Sequence, residues 1–285
     1  MRVLVTGARG MLGWDVCRVF AARHEVIPTH RAELDLTDTA ATLAYLRERA
    51  PGVIVHCAGY TNVDQAEQEP EAAFAGNVLT TWNVVRAAQD TGSLVVYIST
   101  DFVFDGTQER PYHEFDAPRP LGVYAQSKWA GEQLVRSHLQ RFFIVRTAGL
   151  FGLHGRNFVA AILERAEQGQ PLRVVSDQVC CRTYTVDLAE ALLELIDCPL
   201  FGTYHLTNAG YSSWYDFARE ILAAAGLEEV SVQPISSAAW DGPARRPAYS
   251  VLDNLCWRLT GHQPLRPCAE ALRDYLAARQ VPNSH

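Results

Sequence analysis

The sequence predicts an α/β fold, a doubly wound parallel sheet with a smaller C-terminal part, on three observations. Apolar segments rich in β-branched residues alternate with stretches of helical periodicity through the first half of the chain. Each of those segments is too hydrophobic to face water on either side, as a parallel strand covered by helices on both faces must be. A glycine-rich turn, Gly7-Ala8-Arg9-Gly10-Met11-Leu12-Gly13, follows the first segment at once.

Strands are expected at Arg2 to Thr6, Glu25 to Pro28, Gly52 to His56, Leu94 to Ile98 and Phe142 to Arg146. Between them helices are expected at Met11 to Ala22, Thr39 to Arg49, Pro70 to Asp90 and Val123 to His138. Thr37 or Asp38 suits the N-cap of the second helix, and Pro70 sits between Glu69 and Glu71 in the first turn of the third. After Phe151 the expected elements are a helix at Asn157 to Gln168, a strand at Leu172 to Val175 and a helix at Thr185 to Ile196. A strand at Thr203 to Leu206 and a helix at Ser213 to Ala225 follow. Residues 1–150 then form the sheet domain and residues 151–285 the second part, with the helix near 184–197 packing back on the first. No repeat or long linker separates the two.

Composition narrows the function. The 285 residues are 48% apolar and 20% charged, a globular balance. A net charge of -7 leaves no basic field for a nucleic acid backbone. The first residues run straight into a strand, so no export signal is expected, and no apolar run reaches the roughly 18 residues of a membrane span. A cytoplasmic location is the expectation. The seven cysteines form no C-x-x-C pair and no zinc spacing, which reads as small buried hydrophobes in a reducing compartment and no metal. Of 25 basic residues only Lys128 is a lysine. Where arginine serves everywhere else, a single lysine marks work that needs a compact amine of tunable protonation.

The glycine turn closes a strand and opens a helix, the context that gives the motif meaning. Gly7 permits the tight turn, Gly10 lets backbone N–H groups reach a pyrophosphate, and Gly13 lets the helix approach the sheet. This is the Rossmann arrangement, in the G-x-x-G-x-x-G spacing of short-chain reductases. No acid stands at the tip of the second strand, where Thr29-His30-Arg31 offers Arg31 to a 2′-phosphate. The reading favours NADP(H); Asp35, near the customary separation from the turn, leaves NADH open.

Tyr124 and Lys128 lie at i and i+4, on one helix face. One of 11 tyrosines falls four places before the single lysine by chance in roughly one chain in 26. The pair opens the helix after the fourth strand, where a doubly wound sheet presents its chemistry. Carbonyl reduction needs a hydride and a proton; Tyr124 supplies the proton, with its phenolate stabilised by Lys128. Thr100, at the end of the fourth strand, faces the same crevice as a hydrogen-bond donor to the carbonyl.

At this point the sequence resembles the dTDP-4-dehydrorhamnose reductase family of extended short-chain dehydrogenases, over nearly the whole chain. The likeness is carried by the Gly7 to Gly13 turn, Leu34-Asp35-Leu36-Thr37-Asp38, Cys57 to Asp64 with Ala66-Glu67, and Ser99 to Gly106. Tyr124 to Lys128, Arg146-Thr147, Asp177-Gln178 and Arg246-Pro247 extend it. The resemblance implies a catalytic triad of Thr100, Tyr124 and Lys128, with Thr100 and Asp101 touching substrate. It implies cofactor contacts at Met11, Leu12, Asp35, Leu36, Ala58, Gly59, Tyr60 and Ser99. Gly149 stands where the family often has a tryptophan, and Cys180 and Arg182 replace an expected Gly and Pro. Some members dimerise through magnesium at acidic side chains; Asp15 occupies one such position, and the default for it is an aspartate exposed on its helix.

The leading expectation is NADPH-dependent reduction of the 4-keto group of a dTDP-linked 6-deoxyhexulose, with a nucleotide sugar as partner and a homodimer as one assembly. A 4,6-dehydratase would want an acid where Phe102 stands, and an epimerase a small-residue pair in place of Thr100-Asp101. A regulatory NADP-binding subunit, similar to the methionine adenosyltransferase β-subunit, is the alternative from another class. The substrate diphosphate needs positive charge; Arg146, Arg182, Arg245 and Arg246 are the candidates, with Arg182 and Arg246 the expected contacts. Arg245-Arg246 is favoured because it lies in a Gly/Pro-bounded loop, whereas Arg146 ends a strand and has internal pairing as its alternative.

Overall fold

The computed structural model describes residues 1–280, so the last five positions of the expected second part lie outside the described residues. From the N-terminus run β1 (Arg2–Thr6), α1 (Met11–Phe20), β2 (Glu25–Thr29), α2 (Thr39–Arg49), β3 (Val53–His56), α3 (Val63–Gln68), α4 (Pro70–Phe74), α5 (Thr80–Thr91), β4 (Leu94–Thr100), α6 (Val123–His138) and β5 (Phe142–Thr147). Then follow β6 (Leu150–Phe151), α7 (Phe158–Glu167), β7 (Leu172–Val175), β8 (Val179–Cys181), β9 (Thr183–Tyr184), α8 (Thr185–Leu195), β10 (Gly202–His205), β11 (Tyr211–Ser213), α9 (Trp214–Ala224), β12 (Val232–Ile235), α10 (Leu255–Leu259) and α11 (Cys268–Gln280).

Six strands form one parallel sheet in the order β2-β1-β3-β4-β5-β10. Chain direction across the sheet reverses between β1 and β3, which opens a crevice beyond their carboxyl ends. All seven residues of β4 are buried, as a central strand sandwiched by helices requires. One face carries Val3, Val5, Val96 and Val145 against Val16 and Phe20 of α1 and Leu188 and Leu192 of α8; the other carries Leu4, Ile54 and Val95 against Leu46, Val84 and Ala88. Burying each Val, Leu or Ile side chain contributes about 1.5–3 kcal/mol, so these layers hold the crevice walls rigid.

The sheet does not stop at residue 150. β10 is its sixth strand, paired with β5, and α8 joins α1 in the same core. The strand expected at Thr203 to Leu206 in the second part is Gly202–His205, and it completes the sheet edge of the first. A second core of Phe151, Ile162, Phe217, Ile221, Leu272 and Tyr275 joins α7, α9 and α11. The helix expected over Pro70 to Asp90 is broken: Ala75–Leu79 form a π-helical turn between α4 and α5. Gly76 backs onto Tyr60, where a Cβ would lie 2.9 Å from the Tyr60 Cβ, and the wider turn swings Asn77 inward.

Candidate active site

The glycine turn is built as a cradle. Gly7 has φ +66, and a Cβ there would lie 2.8 Å from the Ala58 nitrogen; one at Gly13 would lie 2.2 Å from the Gly7 oxygen. Gly10 donates its N–H to the Gly7 oxygen at 2.8 Å, and a Cβ on Gly10 would stand 3.1 Å from that oxygen. The N-terminus of α1 thereby faces the crevice with unpaired N–H groups, a ready anion site. Leu12 is buried in the sheet core, whereas Met11 is half-buried beside the turn.

Opposite stands the loop after β3, whose shape Asn77 fixes. Its side-chain oxygen accepts from the Tyr60 N–H at 2.8 Å, and its amide donates to the Tyr60 oxygen at 3.0 Å and to Ser127 Oγ at 2.9 Å. Gly59 has room for nothing larger, since a Cβ would be 2.7 Å from Asn77 Oδ1. Ala58 donates its N–H to Thr6 Oγ1 at 3.2 Å. Sequence reasoning missed Asn77, because a helical periodicity gives no sign of a π turn.

At the far end of the crevice Arg31 is 89% exposed and stands 3.8 Å from Asp35. Asp35 accepts from the Thr37 N–H and hydroxyl at 3.0 and 2.7 Å, which hold its carboxyl below the ordinary range. Leu36 is buried, and its carbonyl accepts from Asn83 at 2.8 Å. Arg31 is therefore an exposed cation held only loosely by Asp35, and the glycine cradle and the paired loop fit a dinucleotide phosphate.

Thr100, Tyr124 and Lys128 converge where β4 ends and α6 begins. Burial pushes the Tyr124 phenol up to about 12, against the pull of the Thr100 hydroxyl. Lys128 is buried, and burial draws its ammonium down to about 8, opposed by Glu132 and Cys57. Phe102 meets Tyr124 edge-on with ring centroids 6.3 Å apart. Thr100 Oγ1 donates to Asp101 Oδ1 at 3.1 Å. Asp101 is itself buried and accepts from Ser250 Oγ at 2.5 Å; burial lifts its carboxyl to about 6. Ser250 is a partner that lies 149 positions away, beyond any local signal.

Ser99 turns its hydroxyl to Glu132, donating at 2.6 Å, so any contact it makes to a cofactor goes through its backbone. Glu132 also receives Arg146 in a buried two-pronged pair at 2.9 and 2.7 Å, so of the two roles open to Arg146 the structure shows the internal pairing. Position 132 lies one turn beyond Lys128 on the same buried face, a signal that was available.

In the second part of the chain a cavity of about 300 Å3 is lined by Phe158, Trp214, Trp240, Arg165, Arg173 and Arg246. Arg246 is at its wall, and its guanidinium holds Asp64 at 3.0 and 2.8 Å. Arg182 is a correction. It is buried, donates to the carbonyls of Cys180 and Cys181 at 2.8 and 3.0 Å, and stacks 3.9 Å from the Trp214 ring, so it presents no charge to a diphosphate. Gly149 makes this possible: at φ +53, a Cβ there would lie 2.8 Å from Arg182 Cδ. Asp15 is a second correction. Because α8 packs on α1, Asp15 is only 4% exposed and accepts from Thr185 Oγ1 at 2.6 Å. Among the described residues no three His, Cys, Asp or Glu side chains converge as a metal site.

A switch-point glycine cradle and a Thr-Tyr-Lys trio, with a second part that reaches the first through Ser250 and Arg246, define an extended short-chain dehydrogenase/reductase. The family model for the RmlD substrate binding domain matches residues 1–281, and the chain belongs to that family. It is 39% identical over 279 residues to the spore coat polysaccharide biosynthesis protein SpsK of Bacillus subtilis, covering 98% of each chain. With the dTDP-4-dehydrorhamnose reductase of Streptomyces griseus it shares 39% identity over 97% of this chain and 93% of that one. A solved dTDP-4-dehydrorhamnose reductase from Bacillus anthracis in complex with NADP superposes with a TM-score of 0.95 at 37% identity, over 97% of this chain and 99% of that one. No helix among the described residues is long and apolar enough to cross a membrane.

Proposed function

We propose that the protein reduces the 4-keto group of a dTDP-linked 6-deoxyhexulose with NADPH, with dTDP-4-dehydrorhamnose giving dTDP-L-rhamnose as the specific reaction, in deoxysugar biosynthesis. The observation that carries it is the intact Thr100-Tyr124-Lys128 trio, and a cavity in the second lobe that joins two tryptophans to three arginines supports it. Trp214 and Trp240 suit the flat faces of a nucleoside, and the guanidinium of Arg246 suits its diphosphate.

The Gly7 to Gly13 turn and the Ala58 to Tyr60 loop would hold the dinucleotide, with Arg31 at the 2′-phosphate; when bound, the nicotinamide supplies the hydride. Thr100 donates a hydrogen bond to the carbonyl oxygen as its negative charge grows. Tyr124 delivers the proton to that oxygen, and the ammonium of Lys128 stabilises the phenolate left behind. A phenol near 12 does not release its proton unaided at neutral pH; the Thr100 hydroxyl draws it down, and the ammonium of Lys128 would favour the phenolate further.

Incubating the protein with NADPH and a panel of 4-keto dTDP-sugars, and following loss of the nicotinamide absorbance, tests this. Turnover of dTDP-4-dehydrorhamnose above the others is the expected result. Tight NADP binding with no turnover of any sugar overturns it in favour of a regulatory subunit.

A further inference from the structure

Tyr97 lies on β4, fully buried, three residues before Thr100 and outside the trio. Its ring sits beneath the side chain of Lys128, with the ammonium 4.2 Å from the ring centroid. The Tyr97 hydroxyl donates to the Lys128 carbonyl at 3.2 Å, so one side chain grips both ends of the lysine. Neighbouring positions are cut to fit this arrangement. A Cβ on Gly131 would stand 2.3 Å from the Tyr97 oxygen, and His56 backs the ring at 5.9 Å between centroids. Above, the Lys128 amine is 3.8 Å from where a Cβ on Gly59 would lie, in the loop that faces the cofactor.

We infer that Tyr97 is a positioning residue for Lys128, its ring face seating the ammonium in a buried site and keeping the chain's single lysine charged and aimed at Tyr124 and the cofactor loop. The physical reason is that burial favours the neutral amine, and no hydrogen-bond acceptor is paired with Lys128 Nζ among the described residues. The negative face of an aromatic ring offsets that loss without neutralising the charge, as a carboxylate in contact would. The titratable groups around the amine are Glu132 and Tyr124 on α6, Tyr97 on β4, and His56 and Cys57 at the end of β3. His56 is buried and drawn down to about 3, so it is neutral and adds no competing charge at working pH. Burial holds Tyr97 well above its ordinary value, so it too stays neutral.

A single lysine makes the test direct, because lysine isotopically labelled at Cε gives one side-chain NMR signal, whose titration is that of Lys128. Tyr97→Phe keeps the ring and should leave the midpoint in place. Tyr97→Leu should lower it by roughly half a unit to one and a half units, the range of a desolvated cation–π contact. Should Tyr97→Leu fail to fold, pentafluorophenylalanine at position 97 serves instead, compared with Tyr97→Phe: shape is retained and the ring face loses its negative charge. A midpoint that neither the leucine nor the fluorinated ring lowers overturns the inference. Its consequence for turnover rests on the reductase reading: the basic limb of kcat/KM should move to lower pH by the same amount. A moved titration with a stationary basic limb overturns the positioning role, whereas absence of turnover in the unaltered protein would count against the reductase reading and leave the titration result standing.

Discussion

Replacing Arg246 by alanine tests the proposed substrate lobe most sharply, because the structure sets two roles for that side chain against each other. Its guanidinium grips Asp64 at 3.0 and 2.8 Å and the Ala244 carbonyl at 3.3 Å, while its side chain remains 20% exposed at the cavity wall. An ion pair with one partner 36% exposed contributes at most about 1 kcal/mol. A charge-assisted contact to a diphosphate is worth about 1.5–3 kcal/mol, and part of that is offset because Asp64 draws on the same charge. The net loss in Arg246→Ala is then about 0.5–2.5 kcal/mol, a KM for the sugar nucleotide raised roughly 2- to 70-fold with NADPH affinity unchanged. Asp64→Asn keeps the shape but releases the guanidinium to the ligand, so KM should fall by about two- to fivefold. Initial rates and calorimetric titration with dTDP measure both variants. If Arg246 merely pins its loop, both substitutions loosen the same contact and both raise KM; matching signs would refute the clamp.

Tyr124→Phe keeps the ring against Phe102 and should bind NADPH normally while losing roughly 10²-fold or more in turnover, read by calorimetry and steady-state rates. Arg31→Ala should weaken NADPH binding roughly tenfold and leave NADH binding unchanged, since the exposed guanidinium has only the 2′-phosphate to distinguish the two; equal losses would move the discrimination elsewhere. Burial raises Asp101 from 3.8 to about 6, so between those values the folded chain keeps a proton that the unfolded chain has released. Its contribution to stability is complete below about pH 4 and is lost as pH rises through 6, about 3 kcal/mol in all. Asp101→Asn should therefore gain on the unaltered protein by up to that amount between pH 4 and 7 in urea unfolding, and a constant difference across the window would contradict the burial argument.

Much of the frame was legible in the chain. The bounds Arg2–Thr6, Thr39–Arg49, Val123–His138 and Leu172–Val175 coincide with the expected segments, because apolar period and capping residues are local properties. Asp38 accepts from the Ala41 N–H at 2.9 Å, the cap its sequence position suggested. Tyr124 and Lys128 were legible for the same reason: four residues on a helix bring two side chains together whatever the rest of the fold does.

Contacts between distant segments were not. Sequence alone determined the strand–glycine turn–helix unit, the Tyr–Lys face and the scarcity of lysine that singles out Lys128. Tertiary structure alone decided that Gly202–His205 completes the sheet, that Asn77 shapes the cofactor loop, that Ser250 reaches Asp101, and that Arg182 stacks behind Trp214 while Arg246 stays at the cavity wall. Arg182 and Arg246 carry the same guanidinium and were equal candidates as residue types. What separates them is desolvation: one charge lies in a dry stack closed by Gly149 and backbone carbonyls, the other at a surface where a ligand can still reach it, and burial is a property of the packed chain, not of any local stretch of it.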